Sequence, residues 1–170
     1  MEELKTARMT IRPLQRSDLR ELHRLYGDEE VMTYITGRPR TPRETARRLR
    51  KDLRHHRDHG FGLCLMLDHA EDRVLGRVGL EPRVTDLGTE GELAWMLHRE
   101  YRGVGYATEA AGALIEWGRA RGLARIYAET DPENAASIRV MSRLGMQPAG
   151  RNGRDLVFVA PVAEGTEDSA

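Results

Sequence analysis

The sequence is short of cysteine. Cys64 stands alone among 170 residues, which excludes an intramolecular disulfide framework and a cysteine-rich metal site. Net charge is also missing, with 27 Lys and Arg against 27 Asp and Glu. That balance argues against wholesale nucleic-acid binding. No long hydrophobic run exists: the longest nearly unbroken one, Phe61 to Leu67, covers seven residues. A membrane span needs about 20. The opening MEELKTARMT lacks the apolar stretch of a secretory signal. These absences point to a cytoplasmic protein. Lysine is confined to Lys5 and Lys51, and the arginine excess reads as a compositional habit. No repeat or low-complexity linker divides the chain. What remains, 39% apolar and 32% charged, suits one soluble domain with a single core over residues 1–160. Residues 161–170, PVAEGTEDSA, are expected to form an acidic, flexible tail.

Hydrophobic spacing sets the expected order of elements. Met9 to Arg12 alternates like a strand and ends at Pro13. Ser17 is a suitable N-cap for a helix carrying Leu19, Leu22 and Leu25, ended by Gly27. Asp28-Glu29-Glu30 opens a short second piece. Thr41-Pro42-Arg43-Glu44 has the form of a capping box with proline at the first helical position. Strands are expected at Phe61–Leu67, Val74–Leu80 and Gly91–Leu97, joined by short polar connections. A helix follows from about Ala107 to Arg121, then a strand at Ala124–Thr130 and a helix at Asn134–Leu144. A last hairpin runs from Met146 to Val159 and turns at Asn152-Gly153. The order β-α-α-β-β-β-α-β-α-β-β defines an α+β fold with a mixed, mostly antiparallel sheet of about seven strands. From Arg38 to Asp58 there are nine Lys or Arg and three Asp or Glu. That stretch reads as a solvated helix face or as a basic rim that steers an anionic ligand. As a nucleic-acid site it would demand steep salt dependence.

The stretch that carries chemistry runs from Leu97 to Ala110. A strand ends, Gly103-Val104-Gly105 turns, and an alanine-rich helix begins. Glycines let the main chain approach a ligand closely. The first helical turn offers unpaired N–H groups and the positive end of a dipole. The combination makes a phosphate cradle. It is not the dinucleotide fingerprint, because Thr108 stands where the third glycine belongs. It is not a Walker loop, since no Gly-Lys-Ser/Thr follows.

Arg102-Gly103-Val104-Gly105-Tyr106-Ala107 resembles the Arg/Gln-x-x-Gly-x-Gly/Ala signature of the GNAT superfamily of acetyl-CoA-dependent N-acetyltransferases. Gly105-Tyr106-Ala107-Thr108-Glu109-Ala110, Asn134-Ala135-Ala136-Ser137 and Arg143-Leu144-Gly145-Met146 look like elements of its ribosomal-protein N-terminal acetyltransferase branch, as does the opening Met9 to Leu14. The resemblance spans about Met9 to Val159.

The resemblance implies a splayed central strand pair that admits the pantetheine arm, with flanking helices. Main-chain amides from Arg102 to Thr108, through Gly103, Val104, Gly105, Tyr106 and Ala107, would hold the CoA pyrophosphate, with Arg102 as a charged donor. Trp95, Met96 and Leu97 would flank the pantetheine and thioester, and the Leu97 N–H would serve the thioester oxygen. Asn134 matches the pantetheine-binding asparagine, a role compatible with capping a helix. Ser137 matches the serine proposed to protonate the leaving thiolate; it is equally a plain helix residue. Glu92, on an otherwise apolar strand beside Ala94 and Met96, is the candidate general base. As a plain structural residue it would face solvent. Glu109 is a rival by type, but near a helix start it complements the dipole. Met141 stands where many relatives carry a tyrosine as general acid, so Ser137, Tyr106 or water must supply that proton, or the thiolate leaves unaided.

The expected activity is direct acetyl transfer from acetyl-CoA to a primary amine, either a protein N-terminus or a small molecule. Residues 28–58 are expected to shape the acceptor side. The alternative from another class is a CoA-binding sensor or interaction module without turnover. No metal is expected, since the histidines are scattered. No membrane association is expected, and dimers are common in this branch.

Overall fold

The computed structural model describes residues 1–70 and 73–161. Eight strands form one sheet: β1 Leu4–Lys5, β2 Met9–Pro13, β3 Leu63–Asp68, β4 Val74–Thr85, β5 Gly88–Leu97, β6 Ile126–Thr130, β7 Gln147–Asn152 and β8 Asp155–Val159. The helices are α1 Leu19–Tyr26, α2 Glu29–Met32, α3 Pro42–His59, α4 Tyr106–Ala120 and α5 Ala135–Arg143. Strand order is β1-β2-β3-β4-β5-β6-β8-β7. Every neighbouring pair is antiparallel except β5 and β6. This is the expected α+β fold, with one strand beyond the seven. The extra one, β1, has two residues paired with Ile11 and Thr10, too few to leave a periodic pattern.

Alternation along the strands sends residues to two cores. Leu63, Leu65 and Met96 pack with Leu22, Leu25, Tyr26 and Leu49 under α1 and α3. Cys64, Met66, Val78, Leu80, Leu93 and Leu97 pack with Ala110, Ala111 and Leu114 of α4. The capping box at Thr41 forms as expected: the Thr41 hydroxyl accepts from the Glu44 N–H, and the Glu44 carboxylate accepts from the Thr41 N–H at 2.8 Å. The start of α1 differs from expectation. Ser17 lies inside a 3-10 turn, Arg16–Asp18, and Gln15 precedes that turn. Asp18 takes the capping work instead, because its buried carboxylate accepts from the Gln15 N–H at 2.6 Å and from Arg12 at 2.8 and 2.9 Å. The expected tail from residue 161 lies, beyond Pro161, outside the described residues.

The parallel pair decides the architecture of the site. β5 and β6 are in register only at Gly91–Ile126 and Glu92–Tyr127. Beyond that point β5 stays with β4 as far as Leu97 opposite Gly76. β6 meanwhile follows β8 to Thr130 opposite Leu156. The two strands therefore diverge, leaving a wedge open towards their C-terminal ends.

Candidate active site

Hydrogen-bond parity along β5 identifies which amides face the wedge. The Gly91 N–H donates sideways to the Arg125 carbonyl at 2.8 Å, towards β6. The His98 N–H donates to Leu75 at 3.0 Å, towards β4. In an antiparallel pair these directions alternate residue by residue. The N–H groups of Leu93, Trp95 and Leu97 therefore point to the β6 side. At Trp95 and Leu97 that side is the wedge. The Leu97 carbonyl obeys the same rule and accepts from Arg102 Nε at 3.3 Å.

The glycine turn sits at the wedge mouth. Gly103 and Gly105 have φ of 82° and 91°, a left-handed conformation that costs other residues about 1–2 kcal/mol. A side chain at Gly103 would meet nothing within 4 Å, so the turn is open outward. The first intrahelical bond of α4 runs from Glu109 N–H to Gly105 O at 3.1 Å, and no side chain caps Gly105. The amides of residues 106–108 are thus left for a ligand. The Thr108 hydroxyl is buried and has no partner among the described residues.

A cavity of about 520 Å³ extends from this turn into the wedge. Of the residues expected around CoA, Trp95, Met96, Leu97, Arg102, Gly103, Gly105, Tyr106, Ala107, Thr108, Asn134 and Ser137 all line it. Val104 does not, and its side chain is 57% exposed. Asn134 is the N-cap of α5, its side-chain oxygen accepting from the Ser137 N–H at 3.2 Å. Arg102 is engaged rather than free: Nη1 meets Glu30 of α2 at 2.7 Å, and Arg99 bonds the same carboxylate at 2.8 Å. Tyr106 donates its hydroxyl to Asp68 at 3.0 Å, a bond that raises the phenol pKa. Its proton is therefore committed elsewhere.

A second cavity, of about 180 Å³, adjoins the first and shares Tyr34, Ile35, Trp95, Asn134 and Ser137 with it. Glu92 lines this second space, on the same sheet face as Glu81 opposite it and Ala94. Arg83 bonds Glu92 at 2.9 and 3.2 Å, both times through Oε2. Oε1 takes no bond among the described residues. Glu109 lies in neither cavity. It accepts from Thr6 at 2.6 Å and from the Arg8 main chain and side chain at 2.9 and 2.6 Å. Burial works to raise its pKa, but the Thr6 and Arg8 bonds outweigh burial and hold it low.

Several residues at the site had no individual sequence signal, although residues 28–58 were expected, as a segment, on the acceptor side. Arg8 donates to the Val104 carbonyl at 2.9 Å and lies 4.5 Å from the Tyr106 ring centroid, bracing the turn. Glu30, Tyr34 and Ile35 reach the cavity from α2 and the segment after it. All are remote in sequence from the motif they support.

The fold sets a glycine turn at the mouth of a split sheet. The profile of the acetyltransferase (GNAT) domain family matches residues 8–147, and the chain belongs to that family. It is 33% identical over 146 residues to the protein YkkB of Bacillus subtilis (strain 168), covering 85% of this chain and 84% of that one. Among solved structures it is similar to an acetyltransferase from Agrobacterium tumefaciens str. C58, with a TM-score of 0.82, 25% identity and 95% of each chain covered. Ribosomal-protein-S5-alanine acetyltransferase from Vibrio fischeri shares the fold, with a TM-score of 0.79, 20% identity and coverage of 97% and 98%. No helix among the described residues is long and apolar enough to cross a membrane.

Proposed function

We propose that the protein transfers the acetyl group of acetyl-CoA directly to a primary amine. The observation that carries this reading is the Leu97 N–H, aimed into the wedge at whose mouth the glycine turn lies. The cradle fits the cosubstrate: uncapped amides at residues 106–108 and the orphaned Thr108 hydroxyl suit a diphosphate. Asn134 and the main chain of Trp95 would hold the pantetheine arm. When bound, acetyl-CoA supplies an activated acetyl thioester.

The chain's own groups then have distinct tasks. A neutral amine is needed, and an α-ammonium with a pKa of about 8 is mostly protonated at pH 7. Glu92 Oε1 accepts that proton, directly or through water. The Leu97 N–H holds the negative charge that develops on the acetyl oxygen. The amine nitrogen forms a bond to the acetyl carbon while the carbon–sulfur bond breaks. Ser137 lines the wall common to both cavities and would pass the second proton, shed by the acylated nitrogen, to the departing sulfur. Tyr106 is set aside because Asp68 holds its hydroxyl.

The Arg83–Glu92 pair favours a second reading, a CoA-binding sensor in which Glu92 is only structural. Calorimetry with CoA and free-thiol release across an amine panel test both. An enzyme binds CoA and releases thiol with some amine. Its Glu92→Gln variant keeps CoA affinity and loses about 10²-fold or more in rate near pH 7. That gap narrows as pH rises and the amine loses its proton unaided. A sensor binds CoA, releases no thiol and is indifferent to the substitution. Absence of CoA uptake by folded protein refutes both.

A further inference from the structure

The smaller cavity is lined by charges of both signs. Arg48 and Asp52 belong to α3, Arg77 and Glu81 to β4, and Arg40 precedes α3; all but Asp52 line the cavity. Arg48 serves both carboxylates: Nε bonds Asp52 at 2.9 and 3.1 Å, and Nη2 bonds Glu81. Three guanidiniums thus stand against two carboxylates; Arg48 hydrogen-bonds both, and Arg77 acts on both electrostatically without a hydrogen bond to either.

Arg77 is the telling member. It lies in β4 opposite Met96, is only 5% exposed, and lines the cavity. Its Nε and Nη1 have no hydrogen-bond partner among the described residues, nor do the buried Arg40 Nε and Tyr26 hydroxyl. These groups belong to one stack, each guanidinium carbon 5.4 Å from the Tyr26 ring centroid. The Arg40 N–H donates to the Tyr26 carbonyl at 2.8 Å, which ties the stack together. An aromatic face attracts the cations but accepts no full hydrogen bond. Buried N–H donors are almost always paired. All four orphaned atoms can donate, so what the cluster lacks is an acceptor. Forked guanidiniums match a carboxylate.

The lining also carries Glu92, Glu129, Asp131 and Asp155. Arg83 bonds Glu92, Arg154 bonds Asp131, and Glu129 takes only the Asn152 amide among the described residues. Negative charge is in excess there, which suits an ammonium group.

We propose that the acceptor is an amine bearing its own carboxylate, with that carboxylate held by Arg77, Arg40 and the Tyr26 hydroxyl. The proposal rests on the acetyltransferase reading and narrows its acceptor class. A cavity of about 180 Å³ is smaller than a drug-sized pocket, so the carboxylate belongs to a free amino acid or to an acidic residue beside a peptide N-terminus.

The test uses the full chain and acetyl-CoA, with thiol release measured for amino acids against their carboxamides. Gly-Asp amide against Gly-Asn amide separates the peptide source from the free amino acid, and spermidine is the carboxylate-free reference. At least one acid is expected to exceed its uncharged counterpart by about tenfold or more in kcat/KM, the scale of a charged hydrogen bond. Arg77→Met and Arg40→Met are each expected to remove that preference. CoA affinity reports whether each variant is folded, and Arg77→Lys serves if Arg77→Met is not. Carboxamides or spermidine used as well as the acids, or a preference that survives both substitutions, would overturn the proposal. If no amine releases thiol, titration of CoA-loaded protein with N-acetylamino acids and their carboxamides decides on the same criterion. If CoA itself does not bind, the acetyltransferase reading fails. Titrating the unloaded protein with free amino acids and their carboxamides then still decides whether the carboxylate site exists.

Discussion

Proline at position 97 separates the two things Leu97 does. In mid-sheet a proline normally deletes a ladder bond. Here the Leu97 N–H points away from β4, because it is the His98 N–H that bonds Leu75 and the alternation puts Leu97 on the other side. Leu97→Pro therefore removes the wedge-facing donor and leaves the β4–β5 ladder whole. The side chain, 9% exposed, loses about one methylene of burial, worth about 0.8 kcal/mol. Moving an extended residue to the proline φ adds about 1 kcal/mol. At about 2–4 °C per kcal/mol for a chain of this size, Tm should fall by about 4–7 °C. Loss of a single oxyanion donor costs about 10²–10³ in kcat. Met96→Pro is the control, since its N–H does face β4, and it should unfold the sheet. The assay is kcat at saturating acetyl-CoA alongside CoA affinity by calorimetry. A Leu97→Pro enzyme that binds CoA and turns over within threefold of wild type would refute the oxyanion role. Equal damage from both prolines would refute the parity argument.

Other outcomes follow from the packing. Glu44 has its pKa lowered to about 2, first by the Arg38 bond and then by the Thr41 bonds. A folded pKa below the ordinary value means stability present above about 4.5 and lost as pH falls through about 2. Glu44→Gln should flatten the acid limb of the stability curve in that window, and an unchanged limb would show that the box contributes nothing. Cys64 is buried, and burial pushes its thiol up to about 12. Iodoacetamide at pH 8 should label it only at the rate of unfolding; rapid labelling of folded protein would contradict the packing. A Cβ at Gly79 would stand 2.4 Å from the Gly62 oxygen and 2.5 Å from Leu63 Cα. Both obstacles are main chain, so Gly79→Ala should cost about 1–3 kcal/mol, and an unshifted Tm would mean that β3 and β4 yield more easily than their register implies.

The separation of local from distant causes is plain in particular elements. The Thr41–Glu44 box, the Gly103–Gly105 turn and the Asn134 cap were legible because each needs residues within four positions of one another. Asp18 displaced Ser17 at the first helix because Arg12, on β2, supplies its buried carboxylate with a partner. β4 runs on to Thr85, past the expected end at Leu80. Glu81-Pro82-Arg83 has no apolar alternation, and only pairing with residues 90–92 of β5 holds it extended.

The amino-acid order by itself determined the succession of strands and helices, the glycine turn before α4 and the family to which these belong. Periodicity, capping and positive φ act over a few residues and are written in neighbouring side chains. Only the tertiary structure decided which charges meet: Arg102 with Glu30, Glu109 with Arg8, Glu92 with Arg83, and Arg77 with no hydrogen-bonding partner among the described residues for two of its nitrogens. Ion pairing depends on distances across the fold, and burial sets how much each pairing matters. Neither quantity is carried by spacing along the chain.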